Sequence, residues 1–233
     1  MKLSGYPGRV AGAGLTHDGD PFFIYAVTFL THEDRQRRAH WDAVRGKLHI
    51  VRTNQEASMP IEYRAAIHGK NKNQIAIGNG DHTEKIIENA GSIVDTAVNM
   101  REIFRNHSLV YEATEKGVPR IAAYIGDNSL YLAKMTTNYK PTVHTTILNT
   151  GDFKGRTLNV STYVGETREI EITDDPAFFY LYFRNVTPEE IAKELRAMFD
   201  PGLFVAAAVG IYNKRIMQYD VATQNVSPKE AGL

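Results

Sequence analysis

The chain has no cysteine among its 233 residues, which removes disulfides, thiolate nucleophiles and cysteine-ligated metals together. It has no excess of either charge. The 27 Lys and Arg balance the 27 Asp and Glu, so nothing in the balance argues for a nucleic-acid or membrane surface. No apolar run approaches the ~20 residues needed to span a bilayer. The opening residues Met1-Lys2-Leu3-Ser4-Gly5-Tyr6 lack the apolar core of a signal peptide, so a cytoplasmic protein is expected. No glycine-rich loop ends in Gly-Lys-Ser/Thr, and no Gly-x-Ser-x-Gly elbow occurs. The histidines at 17, 32, 40, 49, 68, 82, 107 and 144 are scattered, without a His-x-His or His-x-x-x-His pair, so no metal is expected. Internal repeats and low-complexity segments are absent as well.

What remains is ordinary globular material, with 42% hydrophobic and 23% charged residues. No composition shift or linker divides it, so a single domain over 1–233 is expected. Strand patterns dominate. Val10 to Thr16 and Pro21 to Thr31 read as a hairpin, and the glycines at 12 and 14 suggest that another backbone or a ligand comes close. Further strands are expected over 47–52, 61–67, 74–78, 119–124, 130–136, 143–148, 158–164, 168–172, 204–212 and 215–221, with a loose tail after Thr223. The helical period runs from Thr83 to about Asn106, broken at Gly91-Ser92. Thr187-Pro-Glu-Glu190 is a second helix start, with threonine as cap and proline in the first turn. The count gives an α+β fold with helices covering largely antiparallel sheets.

The rest of the chain can be hung on Gln74 to Ile87. Its order is a short apolar strand to Gly78, a turn at Asn79-Gly80 where both residues tolerate positive φ, and a helix start with Asp81 as cap and Glu84 closing the box. Such a start aims backbone N–H groups at an anionic or carbonyl ligand; a plain turn and cap is the alternative. The run His32 to His40 is the densest in charge. Arg35, Arg37 and Arg38 could clamp a phosphate there, or the run is a solvated loop. Arg9 stands at the mouth of the first strand.

Four segments, in order, resemble the IMP cyclohydrolases of the archaeal type and their bacterial relatives. They are Tyr6-Pro7-Gly8-Arg9, Arg35-Gln36-Arg37, Asn79-Gly80-Asp81-His82-Thr83, and Tyr111-Glu112 followed by Pro119-Arg120-Ile121-Ala122-Ala123. The Ala206-Ala207-Ala208 strand and Ala222-Thr223 are similar too. Gln36 stands where many relatives carry asparagine, Val118 where threonine is common, and Asn138 to Phe183 has no placed counterpart.

The resemblance implies a four-layer αββα sandwich resembling the N-terminal-nucleophile hydrolases, without the N-terminal nucleophile. It implies ring closure of 5-formamidoimidazole-4-carboxamide ribotide (FAICAR) to inosine monophosphate (IMP), with no cofactor. By the same resemblance Arg37, Tyr63 and Glu112 are the catalytic candidates. Arg9, Arg35, Asn79, Gly80, Asp81, His82, Thr83 and Arg120 are the candidates for binding the purine ribonucleotide. A homo-oligomer is compatible with this reading. The alternatives are an amide hydrolase on the same scaffold and a non-catalytic nucleotide-binding relative.

Overall fold

The computed structural model describes residues 8–28, 35–52, 61–69, 73–91, 93–106, 119–126, 128–135, 141–148, 150–162 and 178–227. They form two antiparallel sheets. The first has the order β11-β10-β1-β2-β12-β13, built from Phe178–Tyr182, Arg156–Ser161, Arg9–Leu15, Pro21–Thr28, Phe204–Asn213 and Gln218–Asn225. The second runs β3-β4-β5-β6-β7-β8-β9, built from Arg37–Asp42, Lys47–Arg52, Ile61–His68, Ile75–Gly78, Arg120–Gly126, Ser129–Met135 and Pro141–Ile147. Three helices accompany them among the described residues: α1 (His82–Glu88), α2 (Ile93–Arg105) and α3 (Pro188–Met198), with a single helical turn at Thr150–Phe153.

Period-2 alternation explains the layering. On β2, Phe23, Tyr25 and Val27 enter the core between the sheets, while Phe22, Ile24 and Ala26 pack under Ile191, Ala192 and Leu195 of α3. The strand is buried on both faces and so reads as an unbroken apolar run. On the other sheet, Ile121, Ala123 and Ile125 face inward, and Ala122 and Tyr124 pack under Ile86, Met100 and Phe104 of α1 and α2. Each of the large apolar side chains among them contributes ~1.5–3 kcal/mol on burial. The result is an α+β sandwich with helices on both outer faces.

Gly12 and Gly14 allow close approach, as expected. A Cβ on Gly12 would lie 1.8 Å from Asn159 Oδ1, and one on Gly14 would lie 1.7 Å from the Arg156 carbonyl oxygen. The helical break falls where anticipated, between Glu88 and Ile93. Thr187 Oγ1 accepts from Glu190 N at 3.3 Å and donates to the Glu190 carboxylate at 2.8 Å.

Three expectations need correction. The charge run is no loop at its C-terminal end, since Arg37–Asp42 is an edge strand paired with β4. An edge strand tolerates the polar residues Arg38 and His40 on its open face, which hides the period in the sequence. β11, Phe178–Tyr182, was not anticipated, and the expected strand over 168–172 lies outside the described residues. The chain after Thr223 is not loose as far as Asn225, whose side-chain amide accepts from Ala39 N at 2.8 Å and donates to Ala39 O at 3.2 Å, tying β13 to β3. Among the described residues no helix is long and apolar enough to cross a membrane.

Candidate active site

The antiparallel order gathers the starts of β1, β3, β5 and β7 and the ends of β2, β4, β6 and β8 at one end of the sandwich. Alternation then decides which side chains point between the sheets there. Arg9 continues the row of Ala11, Ala13 and Leu15, and Arg37 continues that of Ala39 and Trp41. Tyr25 and Tyr63 are themselves part of the inter-sheet core. Their hydroxyls, one from each sheet, meet at 2.8 Å. Tyr25 is fully enclosed, Tyr63 is 8% exposed and Arg37 9%. Burial pushes the Tyr25 phenol well above its ordinary range and the adjacent Tyr63 adds to this, while the charges of Arg9 and Arg37 oppose it. Three expected residues, Arg9, Arg37 and Tyr63, are thus brought together around a fourth.

The Asn79 to Thr83 stretch is organised differently from the expected cradle. Neither Asn79 nor Gly80 has positive φ. Asp81 is exposed, adopts αR geometry and makes no side-chain cap bond. Glu84 closes no box, because its carboxylate pairs with Arg64 and with Lys47 at 3.3 Å. The N–H groups of Thr83 and Glu84 are taken by the carbonyls of Gly80 and Asp81, both at 3.1 Å. The side chains splice strands. Asn79 donates to Pro119 O at 3.0 Å and accepts from Ile121 N at 2.9 Å, so it extends the β6–β7 ladder. Arg120 Nη1 donates to Asn79 O at 2.6 Å, and Thr83 Oγ1 to Gly80 O at 2.8 Å. Arg120 shares its strand face with Ala122 and Tyr124, under the helices rather than between the sheets. Arg35 extends to the Gly202 carbonyl at 3.3 Å, and Arg38 caps the carbonyls of Arg35 and Arg37. Glu112 lies outside the described residues.

The family model described as IMP cyclohydrolase-like protein matches residues 6–215. The chain belongs to that family. No curated protein matches the chain. The family match runs through 138–183, the segment without a placed counterpart, which supplies β9, β10 and β11.

Two residues at this end of the IMP cyclohydrolase-like fold escaped the sequence reading. Tyr25 was readable as a phenol at an inward position between Phe23 and Val27. Lys134 is fully buried and continues the inward row of Leu130 and Leu132; a lysine in period with two leucines was the signal. With Lys134 included, every buried charged side chain among the described residues is a cation: Arg37, Arg120 and Lys134, all at this end.

His82 is enclosed against Phe104, with its Nε2 2.9 Å from the Ile121 carbonyl, which identifies Nε2 as the protonated nitrogen of the neutral ring. Burial lowers its pKa from 6.5 to about 3; the Ile121 carbonyl opposes this and Arg120 adds to it. Unfolded, the ring takes a proton near 6.5, so between these values the unfolded chain holds more protons. The neutral ring therefore contributes its full stability above pH 6.5 and loses it as pH falls toward 3, at up to about 1.4 kcal/mol per pH unit. Urea midpoints at neutral and mildly acidic pH are expected to fall more for wild type than for His82→Gln, whose amide keeps a donor without titrating. Parallel falls would contradict the assignment.

Gly80 gives a second check. A Cβ there would sit 3.1 Å from Arg120 Nη1 and 3.2 Å from His82 Nδ1. Gly80→Val is expected to displace Arg120 from the Asn79 carbonyl and cost about 1–3 kcal/mol. The melting temperature reads this, and an unchanged value would mean that the turn relaxes freely.

Proposed function

We propose that this member of the IMP cyclohydrolase-like family closes the purine ring of FAICAR to give IMP and water. The observation that carries the reading is the clustering of Arg9, Arg37, Tyr25 and Tyr63 between the sheets at one end of a chain that belongs to this family. The buried Lys134 adds a cation at the same end. Three strand spacings, roughly 14 Å, separate β5 from β8, so Tyr63 and Lys134 suit opposite ends of one ribotide, the reacting base at the first and the phosphate at the second.

The reaction joins the carboxamide nitrogen to the formyl carbon, passes through a tetrahedral carbinolamine and expels the former formyl oxygen as water. No redox step and no covalent enzyme intermediate is needed. Holding the two groups in attacking geometry supplies up to ~7–11 kcal/mol in favourable cases. In the proposed roles Tyr63 donates a hydrogen bond to the formyl oxygen, and Arg37 stabilises the negative charge that develops on it. Glu112 takes the proton from the carboxamide nitrogen. Arg9 binds the substrate anion; Asn79, Gly80, His82, Thr83 and Arg120 hold the β6–β7 end that borders Tyr63, and the more exposed Arg35 and Asp81 are rim contacts. The likeness to N-terminal-nucleophile hydrolases is architectural in this reading, and the chemistry needs no processed terminus.

Purified protein incubated with FAICAR is expected to change the absorbance as the purine forms, with IMP recovered by chromatography, and to bind IMP. Nucleotide binding without any turnover would favour the non-catalytic alternative.

A further inference from the structure

Tyr25 belongs to none of the roles above, yet it is 1% exposed and lies beside Arg9, Arg37 and Tyr63. Its ring is anchored between the sheets on β2, and its register partners are the small residues Ala11 and Ala208, which leave the ring room. Its hydroxyl meets only one hydroxyl from the opposite sheet among the hydrogen bonds described for it, that of Tyr63 at 2.8 Å. One of the two must donate. Tyr63 is the less enclosed of the pair. If Tyr63 donated to Tyr25, its proton would be spent in the interior and none would remain for a reacting oxygen. The charges of Arg9 and Arg37 act on the Tyr25 oxygen. Burial and Tyr63 outweigh those charges and hold the Tyr25 phenol protonated, so it keeps a proton to donate.

We propose that Tyr25 is a positioning residue: its hydroxyl donates to the Tyr63 oxygen, which fixes the Tyr63 ring and turns the Tyr63 proton away from the interior toward the end of the sandwich where β3, β5 and β7 begin. This rests on the reading of Tyr63 as the donor to the reacting carbonyl oxygen. A hydroxyl that accepts one hydrogen bond is polarised and donates a stronger one, so the pair acts as a relay of hydrogen bonds without net proton transfer. The two sheets thereby cooperate in the site: β5 carries the donor and β2 sets its direction.

The test is a double-mutant cycle with one substrate-free arm. Tyr25→Phe removes one oxygen and keeps the ring. It is expected to lower kcat about tenfold, less than the 10²–10³ typical of removing a direct donor, with KM within about twofold because substrate contacts are untouched. In a Tyr63→Phe background it is expected to change kcat no further. Independent multiplication of the two effects, or a wild-type kcat in Tyr25→Phe, would overturn the proposal. Should Tyr25→Phe not fold, Tyr25→Met, which also lacks the hydroxyl, takes its place. The substrate-free arm uses protein carrying ¹³C at tyrosine Cζ. The Tyr63 signal, assigned by its loss in Tyr63→Phe, is expected to move when the Tyr25 hydroxyl is removed, and a stationary signal overturns the pairing. If the wild type forms no IMP, the functional reading fails, and this second arm alone decides whether Tyr25 directs Tyr63.

Discussion

Arg37→Ala is expected to reduce kcat on FAICAR by about 10²–10³, the range seen when one charge-stabilising donor is lost. The residue opens β3 and turns inward with Ala39 and Trp41. Its sequence context suggested a polar segment where packing is minor. At 9% exposure it is instead largely buried, so the alanine variant is also expected to lose some stability. Arg37→Lys separates the two effects. Lysine keeps the charge and most of the volume but lacks the planar fork that holds an oxygen from two sides. It is expected to melt close to wild type while kcat stays at least about tenfold down, since a single donor replaces an oriented pair. Wild-type turnover in Arg37→Lys, together with a misfolded Arg37→Ala, would make Arg37 a structural residue. Glu112→Gln is expected to fall in kcat without a matching fall in stability, and equal losses in both would remove it from the proton-transfer role.

The largest loss of stability is expected from Gly14→Ala. The methyl group would enter 1.7 Å from the Arg156 carbonyl oxygen and 3.0 Å from Thr157 Cα, and both are backbone atoms of the paired strand. Neither can rotate away, so β10 must move off β1 in the middle of the sheet, taking Leu158 and Val160 out of the inter-sheet core. The cost is expected at or above the upper end of the ~1–3 kcal/mol range for overpacking. That corresponds to a melting temperature lower by about 6–12 °C for a chain of this size. Gly91→Ala is the control, because its new Cβ meets the Asp95 side chain at ordinary distances, 3.4 Å from Cβ and 3.7 Å from Oδ2. It is expected to be neutral or slightly stabilising. Similar melting of the two variants would show that β1 and β10 are less tightly apposed than described.

Sequence pattern carried the central strands well, because β1, β2, β7, β8 and β12 are largely buried on both faces and read as mostly apolar runs, with Lys134 of β8 the clearest interruption. It failed at the margins. β3 was hidden by its arginines, and β11, Phe-Phe-Tyr-Leu-Tyr, was missed although Asp174-Asp175-Pro176 is a turn signal in the sequence before it. The segment 138–183 seemed to stand apart from the family motifs, yet its β10 pairs with β1 inside the first sheet. Motif spacing cannot see such a pairing, because the partners lie far apart in the chain.

For the site, the family motifs pointed to Arg9, Arg37 and Tyr63, and alternation places all three between the sheets. In the opening turn the expected positive φ, Asp81 cap and Glu84 box do not form. Asn79, His82 and Thr83 are the residue types that cradle ligands, but the same donors and acceptors serve equally to splice β6 to β7, and local sequence does not separate these uses. Tyr25 was missed because a tyrosine in an aromatic strand is indistinguishable from packing until its partner on the other sheet is known.

The most direct measurement of the central claim follows the formyl carbon itself. FAICAR labelled with ¹³C in the formyl group, incubated with the wild-type protein, is expected to lose its formyl resonance as a purine ring-carbon resonance grows in step, with no free formate. The same sample with Tyr63→Phe is expected to convert far more slowly. Label appearing as formate would mean that the chain cleaves the amide rather than closing the ring, and label that stays in the formyl group while IMP still binds would mean that it only holds the nucleotide.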